Sequence, residues 1–454
     1  MKQYEAYKDS DIEWIDKIPE HWQVKRLKLL GDIIPSNVDK KTKEGEQKVL
    51  LCNYVDVYKN DFITEDIQFM KASASDAQIE KLTLRKHDVI ATKDSEDPKD
   101  IGVPALVKNN FNNVVCGYHL TLIRSNMNVL NGDYFYWVIR SEGSSQYFYT
   151  EARGITRYAI GSSVFKNLNI PIPESLEEQT QIAKYLNHKT TQLDTLIAKK
   201  GQLINLLQEE RTAMINQAVT KGLDQNVPMK DSGIEWLGEV PEHWEVKKLK
   251  YLFKLGTGLN ITKANLKDNG VYCVNYGEIH SKYGFELDTE VHQLKYVEKD
   301  YLITHQKALL NKGDFVFADT SEDVEGAGNF THLISEQKVF AGYHTIVAKP
   351  YFDIISRYFA FQFDTLPLRN QIRQTIKGVK VFSITQSILK NIDLWLPPIN
   401  EQKEISDFLT DESNKINCIL KSTKEEIDFL KEYKTALISE VVTGKVDVRE
   451  EVLN

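Results

Sequence analysis

The chain reads as an α+β fold: two pseudo-symmetric mixed α/β domains, each followed by a long helix, with the two helices pairing as an antiparallel coiled coil. Three observations predict this. The sequence repeats itself at an interval near half its length. The body of each repeat alternates short apolar runs with Gly, Asn and Asp, and each repeat closes on a proline-free stretch with apolar residues recurring at sevens.

The repeat is clearest at its start. Ile12–Leu30 (IEWIDKIPEHWQVKRLKLL) matches Ile234–Leu252 (IEWLGEVPEHWEVKKLKYL) at 12 of 19 positions, and four of the six tryptophans, Trp14, Trp22, Trp236 and Trp244, lie in these two leaders. Further on, Ser95-Glu96-Asp97 faces Ser321-Glu322-Asp323, Gly117-Tyr118-His119 faces Gly342-Tyr343-His344, and Arg153-Gly154-Ile155 faces Lys377-Gly378-Val379. Glu178-Gln179 faces Glu401-Gln402. A unit this long is a domain with its helix, not a solenoid module. The expected order is a leader over 1–24, a domain over 25–173 and a helix over 174–221. A linker and second leader follow over 222–246, then a second domain over 247–398, a second helix over 399–444 and a tail over 445–454.

Within the domains, His87–Thr92, Leu120–Ile123, Gly313–Ala318 and Thr345–Ala348 are short β-branched or aromatic runs that predict strands, while Tyr134–Ser141 and Ile354–Phe363 predict helices. Pro171-Ile172-Pro173 and Leu396-Pro397-Pro398 suit an extended approach to a helix start. Beyond them, Leu186, Leu193, Leu207 and Met214 recur at sevens in the first helix, with Lys200 interrupting. Leu409, Ile416, Leu430 and Leu437 do so in the second, with Thr423 interrupting. Helices of about 40 residues span roughly 60 Å. Two such helices either only stabilise each other or also act as a ruler that holds the domains at a fixed separation.

Composition bounds the function. The chain has 454 residues, 57 Lys+Arg against 65 Asp+Glu, a formal charge of −8 and 41% apolar residues. That is ample for real cores and argues against a surface that is basic throughout. Four cysteines without a paired spacing argue against a disulfide framework or a thiolate zinc site. With no apolar leader and no membrane-length run, the expectation is a cytoplasmic protein without a membrane partner.

Chemistry-bearing motifs are scarce. There is no G-x-x-x-x-G-K-[ST] loop, no dinucleotide-binding turn around Gly256-Thr257-Gly258 and no H-E-x-x-H. No catalytic residue, metal site or cofactor site is therefore expected in this chain. The alternative is a single-chain Mg²⁺-dependent DNA nuclease using Asp319, Glu336 and Lys338. The repeat speaks against it, because Phe111 and Asn113 stand near the positions equivalent to Glu336 and Lys338. His21, His243, His119 and His344 read as packing residues beside aromatics.

Charge is nevertheless unevenly placed. Ala152–Pro173 contains Arg153, Arg157 and Lys166 with no acid, and the equivalent Gln371–Ile392 contains Arg373, Lys377, Lys380 and Lys390 with no acid. Two equivalent acid-free basic windows are candidates for phosphate contact on DNA, with base edges read from nearby loops. Lys93 and Lys99 bracket one such loop, although it also holds four acids. The bland reading of Arg153 and Lys377, each beside a glycine, is that they only close a turn.

The doubled I-E-W-[IL]-x-x-[IV]-P-E-H-W-[QE]-V-K-[RK]-L-K leader resembles that of the specificity subunit of Type I restriction-modification systems. So do R-G-I-T-R…I-P-I-P…E-Q-x-x-I over Arg153–Ile182 and its echo over Lys377–Ile405. The second copy departs in having Lys380-Val381 where the first has Thr156-Arg157. The resemblance implies two target recognition domains, each reading one half of a bipartite asymmetric site in double-stranded DNA, with the paired helices setting the gap. It also implies two modification subunits that methylate adenine with S-adenosylmethionine, and restriction subunits that use ATP and Mg²⁺, so that these cofactors belong to partners. Trp14, Trp22, Trp236 and Trp244 would then be either a docking surface for modification subunits or intrachain packing.

Overall fold

The computed structural model describes residues 2–12, 14–376, 378 and 380–452. The chain divides into two compact units, one formed by 1–201 with 424–454 and the other by 202–423. Both divisions fall inside long helices, Leu176–Lys221 and Ile399–Val442, so each helix contributes to both units.

In the first unit a five-stranded sheet takes the order Gly31–Pro35, Leu120–Ser125, Val89–Thr92, Pro104–Val107, Phe62–Ile63, and only the last pair is parallel. A second sheet sets Gln47–Cys52 between Val114–Cys116 and Met70–Ala74. Val89, Ala91 and Ile123 turn to one core with the aromatic helix Gly132–Arg140, whereas Ile90 and Leu122 turn to another with Leu51 and Val115. This is the period-two alternation of a sheet covered on both faces.

The leader closes the domain rather than standing apart from it. Trp22–Arg26 pairs antiparallel with Asn169–Pro173, which is why the prolines are tolerated: they lie on a two-stranded edge. Trp22 is fully buried and its indole donates to Glu178 in the first turn of the long helix, at 2.9 Å. Tyr4 donates to the same carboxylate at 2.8 Å, and burial with that neighbouring charge pushes its phenol well above the usual range. Within this unit Asp194 pairs with Lys434 at 2.7 Å, and Lys200 pairs with Glu426. As one helix number rises the other falls, so these segments run antiparallel, and the lysine that interrupts the heptads is held by a charge.

The second unit repeats the plan. Its five-stranded sheet runs Phe253–Thr257, Thr345–Pro350, Phe315–Ala318, Phe330–Leu333, Phe285–Leu287, beside a four-stranded sheet of Lys295–Val297, Val271–Val274, Val339–Ala341 and Leu309–Leu310. Glu245–Lys248 pairs with Asp393–Leu396, and Trp244 donates to Glu401 at 3.1 Å. Tyr134 donates to Pro171 O at 2.7 Å in the first unit, and Tyr358 repeats the bond to Trp395 O at 3.3 Å in the second. Ile215, Ala218 and Val219 share one core with Ile405 and Leu409. None of the eight heptad leucine, isoleucine and methionine positions is exposed, and Leu186, Leu409, Ile416 and Leu437 are buried.

Candidate nucleic-acid interface

Three two-residue strands gather the basic positions of the first unit. Arg153–Gly154 pairs with Tyr158–Ala159, which pairs in turn with Asp94–Ser95. A Cβ on Gly154 would fall 2.0 Å from Arg157 O, so this hairpin requires glycine for its strands to approach, and a Cβ on Gly378 would fall 2.2 Å from Val381 O. The ribbon carries Arg153 and Arg157 beside Lys93, with Ile155, 91% exposed, at its tip.

The cations are not equivalent. Arg157 is forked on Asp94, with Nε at 2.9 Å and Nη2 at 2.5 Å from Oδ1, and His119 Nδ1 lies 2.7 Å from the same oxygen. Nη2 also lies 3.1 Å from His119 Nδ1, and the side chain stays half exposed, so the acid and the imidazole aim the guanidinium and leave Nη1 to act. Lys93 is half-buried, donates to Ser36 O at 2.7 Å and lies 4.9 Å over the Tyr118 ring, and burial lowers its pKa. It is therefore a strut more than a phosphate contact. Arg153 is exposed and braced on Thr150 O at 2.9 Å, and Lys99 is exposed on the turn Pro98–Asp100. Beside this turn Tyr54 stacks on Tyr58, whose hydroxyl donates to Asp100 at 3.1 Å.

In the second unit Thr320–Ser321 pairs with Phe382–Ser383. Backbone bonds fix the equivalence. Lys93 N donates to His119 O as Asp319 N does to His344 O, and Ile160 N donates to Lys93 O as Ile384 N does to Asp319 O. Asp94 thus corresponds to Thr320, and Arg157 to Val381. Lys380 is exposed beside this ribbon, whereas Arg373 donates to Glu325 O at 2.7 Å and holds the acidic loop instead of projecting freely. Lys377 lies outside the described residues.

Several expectations need correction. Asp319, Glu336 and Lys338 do not converge: Asp319 follows strand Phe315–Ala318 and pairs with His344. Glu336 pairs at 2.7 Å with Lys312, before the opposite end of that strand. Among the described residues no group of three or more His, Cys, Asp or Glu could hold a metal ion. Trp22 and Trp244 are fully buried within their own units, so their rings offer no surface to a partner, while Trp14 packs against Gly143 and is half-buried with Trp236. The four repeated histidines each have a ring nitrogen 2.7–3.2 Å from a carboxylate oxygen and are not simply packed on aromatics. The basic windows are acid-free only in sequence, since Asp94 sits inside the first. Ile155 and the Asp94–His119 pair escaped sequence reasoning. The repeated Gly154 and Gly378 were the available signal of a tight hairpin.

The family profile of the Type I restriction modification DNA specificity domain matches the chain twice, over residues 19–208 and 241–428. The chain belongs to this family. It is 23% identical over 454 residues to the type I restriction enzyme MjaVIII specificity subunit of Methanocaldococcus jannaschii, covering 95% of each chain. It is 26% identical over 249 residues to the EcoKI specificity subunit of Escherichia coli K12, covering 53% of this chain and 50% of that one. Among solved structures, a chain from work on complex assembly and conformational transition of the type I R-M system superposes with a TM-score of 0.73 at 14% identity. That match covers 94% of this chain and 99% of the other. The HsdS subunit of Thermoanaerobacter tengcongensis gives 0.57 at 15%, covering 94% and 98%. These structural matches concern the fold. Among the described residues no helix is long and apolar enough to cross a membrane.

Proposed function

We propose that the chain is the non-catalytic, sequence-specific DNA-binding subunit of a Type I restriction-modification complex, each domain reading one half of a bipartite asymmetric site. The observation that carries this reading is the double, in-register match to a DNA specificity domain. Each copy also contains a ribbon whose exposed cations, Arg153 in one and Lys380 in the other, stand at the same end of the repeat. Phosphate contacts from such cations position a protein, and base edges are read by what lies beside them. Lys99 and Arg153 supply backbone contact in the first domain, and Arg157, aimed by Asp94, reaches the base edges. The helices Leu176–Lys221 and Ile399–Val442 set the gap between half-sites. Two modification subunits carrying S-adenosylmethionine, and restriction subunits using ATP and Mg²⁺, perform adenine methylation and cleavage.

The test is the methylated motif of the assembled complex, read by methylation-sensitive sequencing. Replacing residues 25–173 with another recognition domain should change one half of the motif and leave the other intact. A change in both halves would overturn the two-reader assignment. The purified chain alone should neither methylate nor cut DNA with Mg²⁺.

A further inference from the structure

The two ribbons differ at one paired position in a way that changes what each can read. In the first domain Asp94, on one strand of the ribbon, forms a salt bridge with Arg157, just before the neighbouring strand, and in the second Thr320 and Val381 stand at the matching places. Acid and base are replaced together by a hydroxyl and an aliphatic side chain, so neither domain is left with half a pair. In the second domain a cleft of about 740 Å³ opens at this place, lined by Tyr276, His280, Thr320, Glu322, His344 and Val381. Val381 is 52% exposed. His280 is fixed in place: Nε2 lies 2.8 Å from Thr320 O, and Asn329 Nδ2 lies 2.8 Å from Nδ1. Glu322, Asp323 and Glu325 all line the cleft and repel phosphate, so it faces a groove more readily than a backbone.

Building on the function proposed above, we infer that this paired position determines base specificity: Arg157 reads a guanine, and the Val381 cleft takes the C5-methyl group of a thymine. Asp94 engages Nε and Nη2 of Arg157 and His119 Nδ1 lies 3.1 Å from Nη2, while the two Nη1 hydrogens have no partner among the described residues. A guanidinium held in this way has Nη1 left to donate to the O6 and N7 acceptors of guanine. Val381, which lines the cleft with Tyr276, offers no donor and no charge, and apolar contact with the methyl group is what distinguishes thymine in the major groove.

The experiment uses the complex of this chain with its modification subunits and reads the methylated motif. Thr320→Asp with Val381→Arg should convert one A·T position to G·C in the half belonging to the second domain, leaving the first half unchanged as an internal control of assembly. Arg157→Lys keeps the charge but loses the fork, and should relax discrimination at one G·C position of the first half by about tenfold or more. A wild-type complex with no bipartite motif would overturn the proposed function and this inference with it. A bipartite motif that neither substitution moves, or a first half without a G·C pair, would overturn the inference alone. If the double variant methylates nothing, Arg157→Lys decides by the same readout.

Discussion

At the scale of single residues, one carboxylate per repeat ties leader to helix, and the two differ in how much depends on them. Glu178 accepts from the buried Tyr4 hydroxyl, the buried Trp22 indole and His21, whereas Glu401 serves one buried donor, Trp244, and the exposed His243. Leaving a buried donor without a partner costs about 1–3 kcal/mol. Glu178→Ala should therefore destabilise by about 3 kcal/mol and Glu401→Ala by about half of that, as read from urea unfolding followed by tryptophan fluorescence. Equal losses would show that Tyr4 contributes nothing. His332 makes a second, pH-dependent case. It is buried against Phe315, its Nδ1 lies 2.7 Å from Phe285 O, and burial pushes its pKa down to about 4. Above pH 6.5 the imidazole is neutral whether folded or unfolded. As pH falls from 6.5 toward 4 the unfolded chain takes up a proton that the fold refuses, so stability declines across that window by about 3 kcal/mol. His332→Asn, which can keep a donor to Phe285 O, should remove that decline from a series of urea midpoints against pH.

At the scale of elements, the long helices carry the sharpest prediction. Inserting one heptad at matched places in Leu176–Lys221 and Ile399–Val442 preserves the apolar seam and adds about 10 Å. At 3.4 Å per base pair along one strand, the gap between half-sites should widen by about three base pairs in the methylated motif, with both half-sites unchanged. A gap that stays constant would remove the helices from the measuring role. These helices were legible in the sequence because the seven-residue pattern is local and long. The main strands were legible because HDVIAT and GDFVFA carry their own apolar runs, and the structure trims them to Val89–Thr92 and Phe315–Ala318. The ribbon was not legible. Its strands are two residues long, too short for any periodicity, and they exist only because Asp94–Ser95 meets Tyr158–Ala159 from 63 residues away. The same distance hid the acid that neutralises Arg157. The leader likewise gave no local sign of being a strand, since its partner Asn169–Pro173 lies at the other end of the domain.

For the whole molecule, a formal charge of −8 looks unsuited to a polyanion until its placement is considered. Acids brace the candidate surface, as Asp94 does Arg157, while Arg153 and Lys99 in one unit and Lys380 in the other are exposed and are the cations proposed to meet phosphate. Each phosphate neutralised contributes about −0.9 to the slope of log affinity against log salt. Arg153→Ala and Lys380→Ala should thus each weaken binding of the assembled complex evenly across sequences and reduce the slope by about 1, without altering the methylated motif. Because the two residues belong to different compact units, their free-energy losses should add to within about 0.5 kcal/mol in the double variant. The measurement is a titration of the single and double variants at several salt concentrations. Losses that fall well short of additive would mean that the two domains do not engage DNA independently, and the one-domain, one-half-site assignment would fail with them.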